Sequence, residues 1–144
     1  MSLGTAQTGD VKSSMATLKA ETEKLGTPKV QGSDLYFGST KVDKSIVKDV
    51  VQKHDMKNNN GAVTIFVTNG DQYVRMLTTV KKKDGSRAVG TPLHANNPAI
   101  AKLNNGEAYY GDATVFGKTY DAGYEPIKDA SGAVIGAYFV GHSK

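Results

Sequence analysis

Arg75 stands inside the run Gln72-Tyr73-Val74-Arg75-Met76-Leu77-Thr78-Thr79, whose residue types favour a half-buried strand. A guanidinium buried there without a partner is costly. It therefore faces water, meets an internal acid such as Asp112, Asp121 or Glu125, or meets a carboxylate brought by a ligand. The planar fork of an arginine matches a carboxylate in two-pronged fashion. Other chemistry-bearing residues are in poor company. His54 falls near a predicted helix end, where it complements the dipole; His94 follows Pro92-Leu93, and His142 lies near the last residue. There is no His-x-x-x-His or His-Glu pair and no Cys, so spacing offers neither a metal site nor thiolate catalysis. The stretch Gly85-Ser86-Arg87-Ala88-Val89-Gly90 is not followed by a helix and fails as a phosphate loop. No nucleophile sits beside a base, so the expectation is a binding module with no catalytic residue and no cofactor.

Most of the 7 tyrosines and 4 phenylalanines fall on predicted strands. Strand alternation places Tyr120, Tyr124 and Pro126 on one face, and Tyr110 and Phe116 on one face of the strand before. It groups Tyr73, Arg75, Leu77 and Thr79 on one side, and Val74, Met76 and Thr78 on the other. Tyrosine hydroxyls on an apolar wall are the sparse polar groups a small-ligand pocket uses. The plainer alternative is a core whose tyrosines point their hydroxyls out at the rim.

The elements that must position these residues are legible in the periodicity. Val11, Met15, Leu18 and Leu25, at offsets of 4, 7 and 14 with Thr22 between, predict a helix over Asp10–Leu25 that Gly26, Pro28 and Gly32 stop. So thin a stripe suits packing on one surface or pairing with a partner helix. Leu35-Tyr36-Phe37-Gly38 reads as a short extended piece. Ser39 or Thr40 could cap a second helix carrying Val42, Ile46, Val47, Val50 and His54, ended by Lys57-Asn58-Asn59-Asn60-Gly61.

The period then changes to two. Val63–Thr68 and Gln72–Thr79 flank Asn69-Gly70-Asp71, a strong hairpin signal. A turn at Asp84-Gly85 follows three lysines, and Asn96 to Gly106 holds a short helix with Pro98 near its start. Three strands close the chain: Ala108–Phe116, Lys118–Ile127 and Ala133–Val140. This order predicts an α+β fold of five mostly antiparallel strands.

A length of 144 residues is one domain's worth. Residues 1–9 read as a flexible lead, with Met-Ser-Leu a cloning remnant; 10–60 is an N-terminal helical segment and 61–142 the sheet. The net charge of +4 is no nucleic-acid signal, since of 18 basic residues only Arg75 and Arg87 are arginine. There is no apolar run long enough to span a bilayer, and no leader peptide is visible.

From Gly61 to Gly141 the chain resembles the single-Cache sensor domains of bacterial methyl-accepting chemotaxis proteins. The resemblance rests on Ala62–Val67, Tyr73–Thr79, Asp84–Leu93, Gly111–Gly117, Tyr124–Asp129 and Gly132–Gly141, in that order and spacing. It implies a PAS-like five-stranded antiparallel sheet with a long N-terminal helix on one side. The ligand pocket would lie on the other side, roofed by the excursion between the second and third strands. It also implies a periplasmic, extracytoplasmic module of a membrane-anchored parent, a homodimer through the N-terminal helix, and no nucleic-acid partner. The ligand class implied is a small organic carboxylate: acetate, propionate, pyruvate or lactate. Carried onto this chain, the binding role falls to Arg75, with Lys81 or Arg87 as a second cation. Phe66, Met76, Phe116, Tyr120 and Tyr124 would serve as walls and hydroxyl donors. The same domain type also precedes histidine kinases and nucleotide cyclases. A further alternative is a structural domain whose pocket its own side chains fill.

Overall fold

The structure, a computed structural model, describes residues 3–32, 34–42, 44–47, 61–69, 72–82, 84–93 and 97–143. Helix α1 spans Leu3–Glu23. A small antiparallel sheet follows, with β1 (Pro28–Gln31), β2 (Asp34–Phe37) and β3 (Thr40–Lys41) in that order, and then a 3-10 turn at Lys44–Val47. The main sheet holds β4 (Gly61–Asn69), β5 (Gln72–Thr78), β6 (Tyr109–Val115), β7 (Lys118–Lys128) and β8 (Val134–Ser143). A short helix, α2 (Ala99–Asn104), lies in the long connection from β5 to β6. The main-sheet order is β5-β4-β8-β7-β6, and every pairing is antiparallel. This is the α+β, PAS-like arrangement that the strand pattern predicts.

Helix α1 forms for the reason its stripe suggests. Val11, Met15, Leu18 and Thr22 are all buried, and the helix lies across β7 and β8. Each large apolar side chain buried there contributes roughly 1.5–3 kcal/mol. The helix reaches back to Leu3, ahead of the predicted start, and ends where Gly26 takes a φ of 132°. Gly26 and Gly38 lie back to back: a Cβ on Gly26 would come within 2.6 Å of the Gly38 Cα. Two side-chain-free residues let the β1–β2 hairpin abut the helix end.

The predicted second helix does not start at Ser39 or Thr40. Thr40 pairs with Phe37 and Lys41 with Tyr36 in the small sheet, and the Val42 N–H donates to the Leu35 carbonyl at 2.9 Å. Gly38, at φ 64°, makes the tight turn, and the β-branched residues after it complete a ladder that local helical spacing does not offer. Val42 and Ile46 are buried all the same, beneath Leu35 and Phe37. Val47 closes the 3-10 turn, and residues 48–60 of that predicted helix, His54 included, lie outside the described residues.

The main sheet is packed on both faces. Toward α1 and the small sheet lie Val63, Ile65, Val67, Leu77, Ile127, Tyr138 and Val140. The opposite face carries Phe66, Tyr73, Tyr120, Tyr124 and Phe139, covered by Leu93 and by Ala99 and Leu103 of α2. Asn97 Oδ1 accepts the Ala99 N–H at 2.9 Å, which starts α2 as the Asn-Pro sequence predicts.

Candidate functional site

The position of Arg75 follows from an irregularity in the β4–β5 ladder. Phe66 pairs with Arg75 and Ile65 with Leu77, so Met76 is an extra residue, a β-bulge. Before the bulge, Tyr73 and Arg75 turn away from α1, while Val74 and Met76 turn toward it. After the bulge the parity reverses. Leu77 joins the α1-side core, and the Thr78 hydroxyl meets that of Thr64 at 2.7 Å. One expectation of the alternation is thereby corrected: Leu77 does not share a face with Arg75. Met76 packs on the side of the sheet away from Arg75, as the alternation predicts, and so is no wall beside the guanidinium.

Arg75 is 4% exposed. Its Nη1 donates to the Thr91 hydroxyl at 3.1 Å, the Pro92 carbonyl at 2.9 Å and, more weakly, the Thr91 carbonyl at 3.4 Å. These bonds hold the guanidinium against the 90–93 segment, whose backbone also bonds the edge of β5. The buried Nε has no partner, and among the described residues the Nε–Nη2 edge makes no hydrogen bond. Two aromatic rings sandwich the group, Phe66 and Phe116, each 5.2 Å from the guanidinium carbon. Such contacts are worth ~0.5–2 kcal/mol each. Burial lowers the guanidinium's pKa from its ordinary value, and the neighbouring Tyr124 opposes that shift.

No carboxylate among the described residues pairs with Arg75. The three acids the sequence made available all lie on the wrong side. Asp121 and Glu125 alternate with Tyr120 and Tyr124 along β7, and Asp112 pairs with Asp121 across the β6–β7 ladder. All three therefore belong to the α1 face.

Tyr124, fully buried, sits at the centre of the Arg75 face. Its ring lies 4.9 Å from Phe139, 6.4 Å from Phe66 and 6.2 Å from Tyr109, and its hydroxyl accepts from Asn97 Nδ2 at 3.2 Å. Burial pushes its phenol up to about 12, against the opposing effects of the Asn97 hydrogen bond and the Arg75 charge. Tyr120 shares the face and meets Phe139 edge-on at 5.8 Å. Phe116 arrives by a different route from the one predicted. The strand ends at Val115, and Phe116 begins the two-residue turn to Lys118 with φ 49°, so its ring swings over Arg75. Tyr110 points the other way, toward α1. Sequence reading missed Thr91, Asn97 and Phe139. Asn97-Pro98 falls at the predicted start of the short helix, but nothing local says that Asn97 would reach Tyr124.

Lys81 and Arg87 do not converge on this face. They form an isolated bridge on the excursion, both exposed, with Arg87 Nη1 donating to the Thr78 carbonyl at 3.0 Å. Met76 and Arg87 instead line a groove of about 710 Å³ beside the small sheet, with Val42, Val67 and Val74; Arg75 also borders it. A second groove of about 570 Å³ opens beside Tyr73, Asn104 and Lys128. Among the described residues no group of His, Cys, Asp or Glu could hold a metal ion, and no helix is long and apolar enough to cross a membrane.

The α1 face carries a polar network directly behind the aromatic one. Lys19 Nζ meets Glu125 Oε1 at 2.8 Å, the Tyr110 hydroxyl donates to Glu125 Oε2, and the Thr22 and Tyr138 hydroxyls are 2.6 Å apart. Burial pushes the Glu125 carboxyl up. The Lys19 hydrogen bond, then that of Tyr110 and the Lys19 charge, outweigh it and hold the group below the usual glutamate range. Glu125 follows Tyr124 in sequence, and Tyr138 precedes Phe139. One peptide unit thus separates each anchor of α1 from a residue of the Arg75 face.

The family model of the Cache 3/Cache 2 fusion domain matches residues 9–144. Comparison with curated proteins found no match.

Proposed function

The chain belongs to the Cache 3/Cache 2 fusion-domain family, extracytoplasmic ligand-sensing domains, and from that premise we propose that it senses a small organic carboxylate bound at Arg75. The observation that carries this reading is a buried guanidinium whose Nε–Nη2 edge makes no hydrogen bond among the described residues, while every candidate internal acid lies across the sheet. A carboxylate placed on that edge would receive two charge-assisted bonds, with Phe66 and Phe116 as apolar walls. Acetate, propionate, pyruvate and lactate fit this chemistry. The site supplies no nucleophile–base pair and binds without transforming its ligand.

The output follows from the strand alternation. A ligand that shifts Tyr124 or Phe139 moves the backbone that carries Glu125 and Tyr138, and through these Lys19 and Thr22 of α1. Only a difference in affinity between two such arrangements can shift their populations. We assign the parent protein to membrane-anchored chemotaxis receptors in the periplasm, on the strength of the resemblance. The buried stripe of α1 is used on the sheet. A symmetric dimer along this helix would therefore pair its outward face, which carries Lys12, Ala16 and Ala20.

The test is a thermal-shift and calorimetric screen against the four acids and their neutral amides. The acids should raise Tm where the amides do not, and Arg75→Ala should abolish the rise. An undiminished rise in that variant removes Arg75 from the site. The dense packing of the aromatic face favours one competing reading, a domain whose pocket its own side chains fill. A melting temperature indifferent to every acid would establish it.

A further inference from the structure

Phe116 breaks a local rule. It occupies the first of two turn positions between Val115 and Lys118, with φ 49° there and 81° at Gly117. Two positive φ values in a two-residue hairpin loop mark a primed turn, whose first position ordinarily holds Asn, Asp or Gly. A benzyl side chain gains nothing locally from a left-handed backbone. Phe116 is also 39% exposed, one of the few large apolar side chains so placed among the described residues. Neither turn geometry nor burial accounts for a phenylalanine here.

The contact with Arg75 does. Phe66, 1% exposed, forms the floor of the guanidinium sandwich and is locked in the sheet. Thr91 and Pro92 hold the Nη1 side. Phe116 is the outer slab, carried by a two-residue turn at the end of β6, and it is the wall of the Arg75 site that can move without disturbing the core. Backbone strain retained at a ligand-facing position is a recurring mark of a functional constraint.

We infer that Phe116 is a gate that sets the size of anion the Arg75 site admits: its ring swings aside to let a short-chain carboxylate reach the Nε–Nη2 edge, closes over it, and excludes bulkier acids. This rests on the carboxylate reading of Arg75 and adds the residue that confers selectivity. An aromatic acid stacking on the guanidinium would have to take the place that the Phe116 ring holds, 5.2 Å from the guanidinium carbon.

The experiment compares the wild-type protein with Phe116→Asn, Phe116→Leu and Arg75→Ala, using acetate and benzoate as probes. Asn suits the left-handed turn position, so Phe116→Asn should fold with an undiminished Tm. Calorimetry and stopped-flow tyrosine fluorescence read the affinity and the two rate constants. The expected result is that Phe116→Asn dissociates acetate at least tenfold faster and binds benzoate, which the wild type rejects, while Phe116→Leu falls between. Unchanged acetate rates and unchanged benzoate rejection in Phe116→Asn, with binding still lost in Arg75→Ala, overturn the gate and leave the Arg75 site standing. Acetate binding that survives Arg75→Ala, or no binding by the wild type, overturns the carboxylate reading and the gate with it.

Discussion

Replacing Arg75 by Lys separates charge from geometry. The substitution keeps one positive charge near Phe66 and Phe116 but removes the planar fork. In the structure three bonds on Nη1 fix the guanidinium to Thr91 and Pro92, which leaves the Nε–Nη2 edge as a pair of parallel donors. A hydrogen bond to a charged group contributes about 1.5–3 kcal/mol. Two of them on one carboxylate therefore amount to roughly 3–6 kcal/mol, or about two to four decades of affinity. An ammonium in that place is a point charge that makes one such bond, and its shorter stem cannot also reach Thr91 and Pro92. Arg75→Lys should thus weaken carboxylate binding by about 10–100-fold, and Arg75→Met should abolish it. Titration calorimetry with acetate, at one ionic strength for all three proteins, measures the series. The matching stability readout is Tm without ligand. Burial of the unpaired Nε–H costs the wild type about 1–3 kcal/mol, so Arg75→Met should lose less stability than three broken hydrogen bonds imply. Equal acetate affinity in the wild type and Arg75→Lys would refute two-pronged capture and leave charge alone as the attraction.

Two further predictions concern the α1 face. Glu125 is held below its ordinary value of 4.5, so its contribution to stability is fully present above that pH and is lost as pH falls through the lower folded value. Glu125→Gln should flatten that part of the acid limb in urea melts run from pH 6 downward, while the turn residues Asp84 and Asp129, also shifted down by hydrogen bonds to Ser86 and to Ser131, keep the remainder. An acid limb identical to the wild type's would show that the Lys19–Glu125–Tyr110 network contributes nothing to the anchoring of α1. Ser14 is fully buried on α1 and its hydroxyl has no partner among the described residues, so Ser14→Ala should raise stability by about 1 kcal/mol, from the removed unsatisfied group and the better helix propensity. A lower Tm for that variant would mean that the hydroxyl is satisfied in solution.

The sheet from Gly61 onward was legible because each strand announces itself twice, by period-two alternation and by a turn signal at its end. Asn69-Gly70-Asp71, Gly117 and Asp129 to Gly132 mark hairpins that the register places where expected. The segment after α1 was misread because Val42 and Ile46 satisfy helical spacing and also serve as buried residues of a small sheet and a 3-10 turn. Nothing local separates those outcomes; the Gly26–Gly38 contact and the pairing of Thr40 with Phe37 do. The bulge at Met76 was equally invisible, since it depends on what β4 presents opposite, and it moved Leu77 and Thr78 relative to Arg75. Asp121 and Glu125 alternate with Tyr120 and Tyr124, so strand parity alone excludes both acids as partners of an arginine that shares the tyrosines' face.

That parity also bears on how such a domain can signal. In a sheet packed on both faces, neighbouring side chains along a strand point to opposite sides, so the backbone offers a direct coupling between the Arg75 side and α1. The strands that carry it are β7 and β8, because each places an aromatic residue of the Arg75 face next to a polar anchor of α1: Tyr124 beside Glu125, and Phe139 beside Tyr138. Both strands are ladder-bonded along most of their length, and they stiffen one another. Arg75 itself sits on β5, separated from β7 by β4 and β8 in the sheet order, and reaches them through Phe66 and Tyr124 and through Phe116 at the turn into β7. A ligand on Arg75 therefore influences α1 to the extent that it repositions the Tyr124 ring. That ring is fixed on its far side by Asn97, in the segment leading into α2. The excursion that roofs the face and the strands that hold the helix thus meet at one phenol. On the proposed function, Tyr124 would join binding and response more directly than the arginine that would attract the anion.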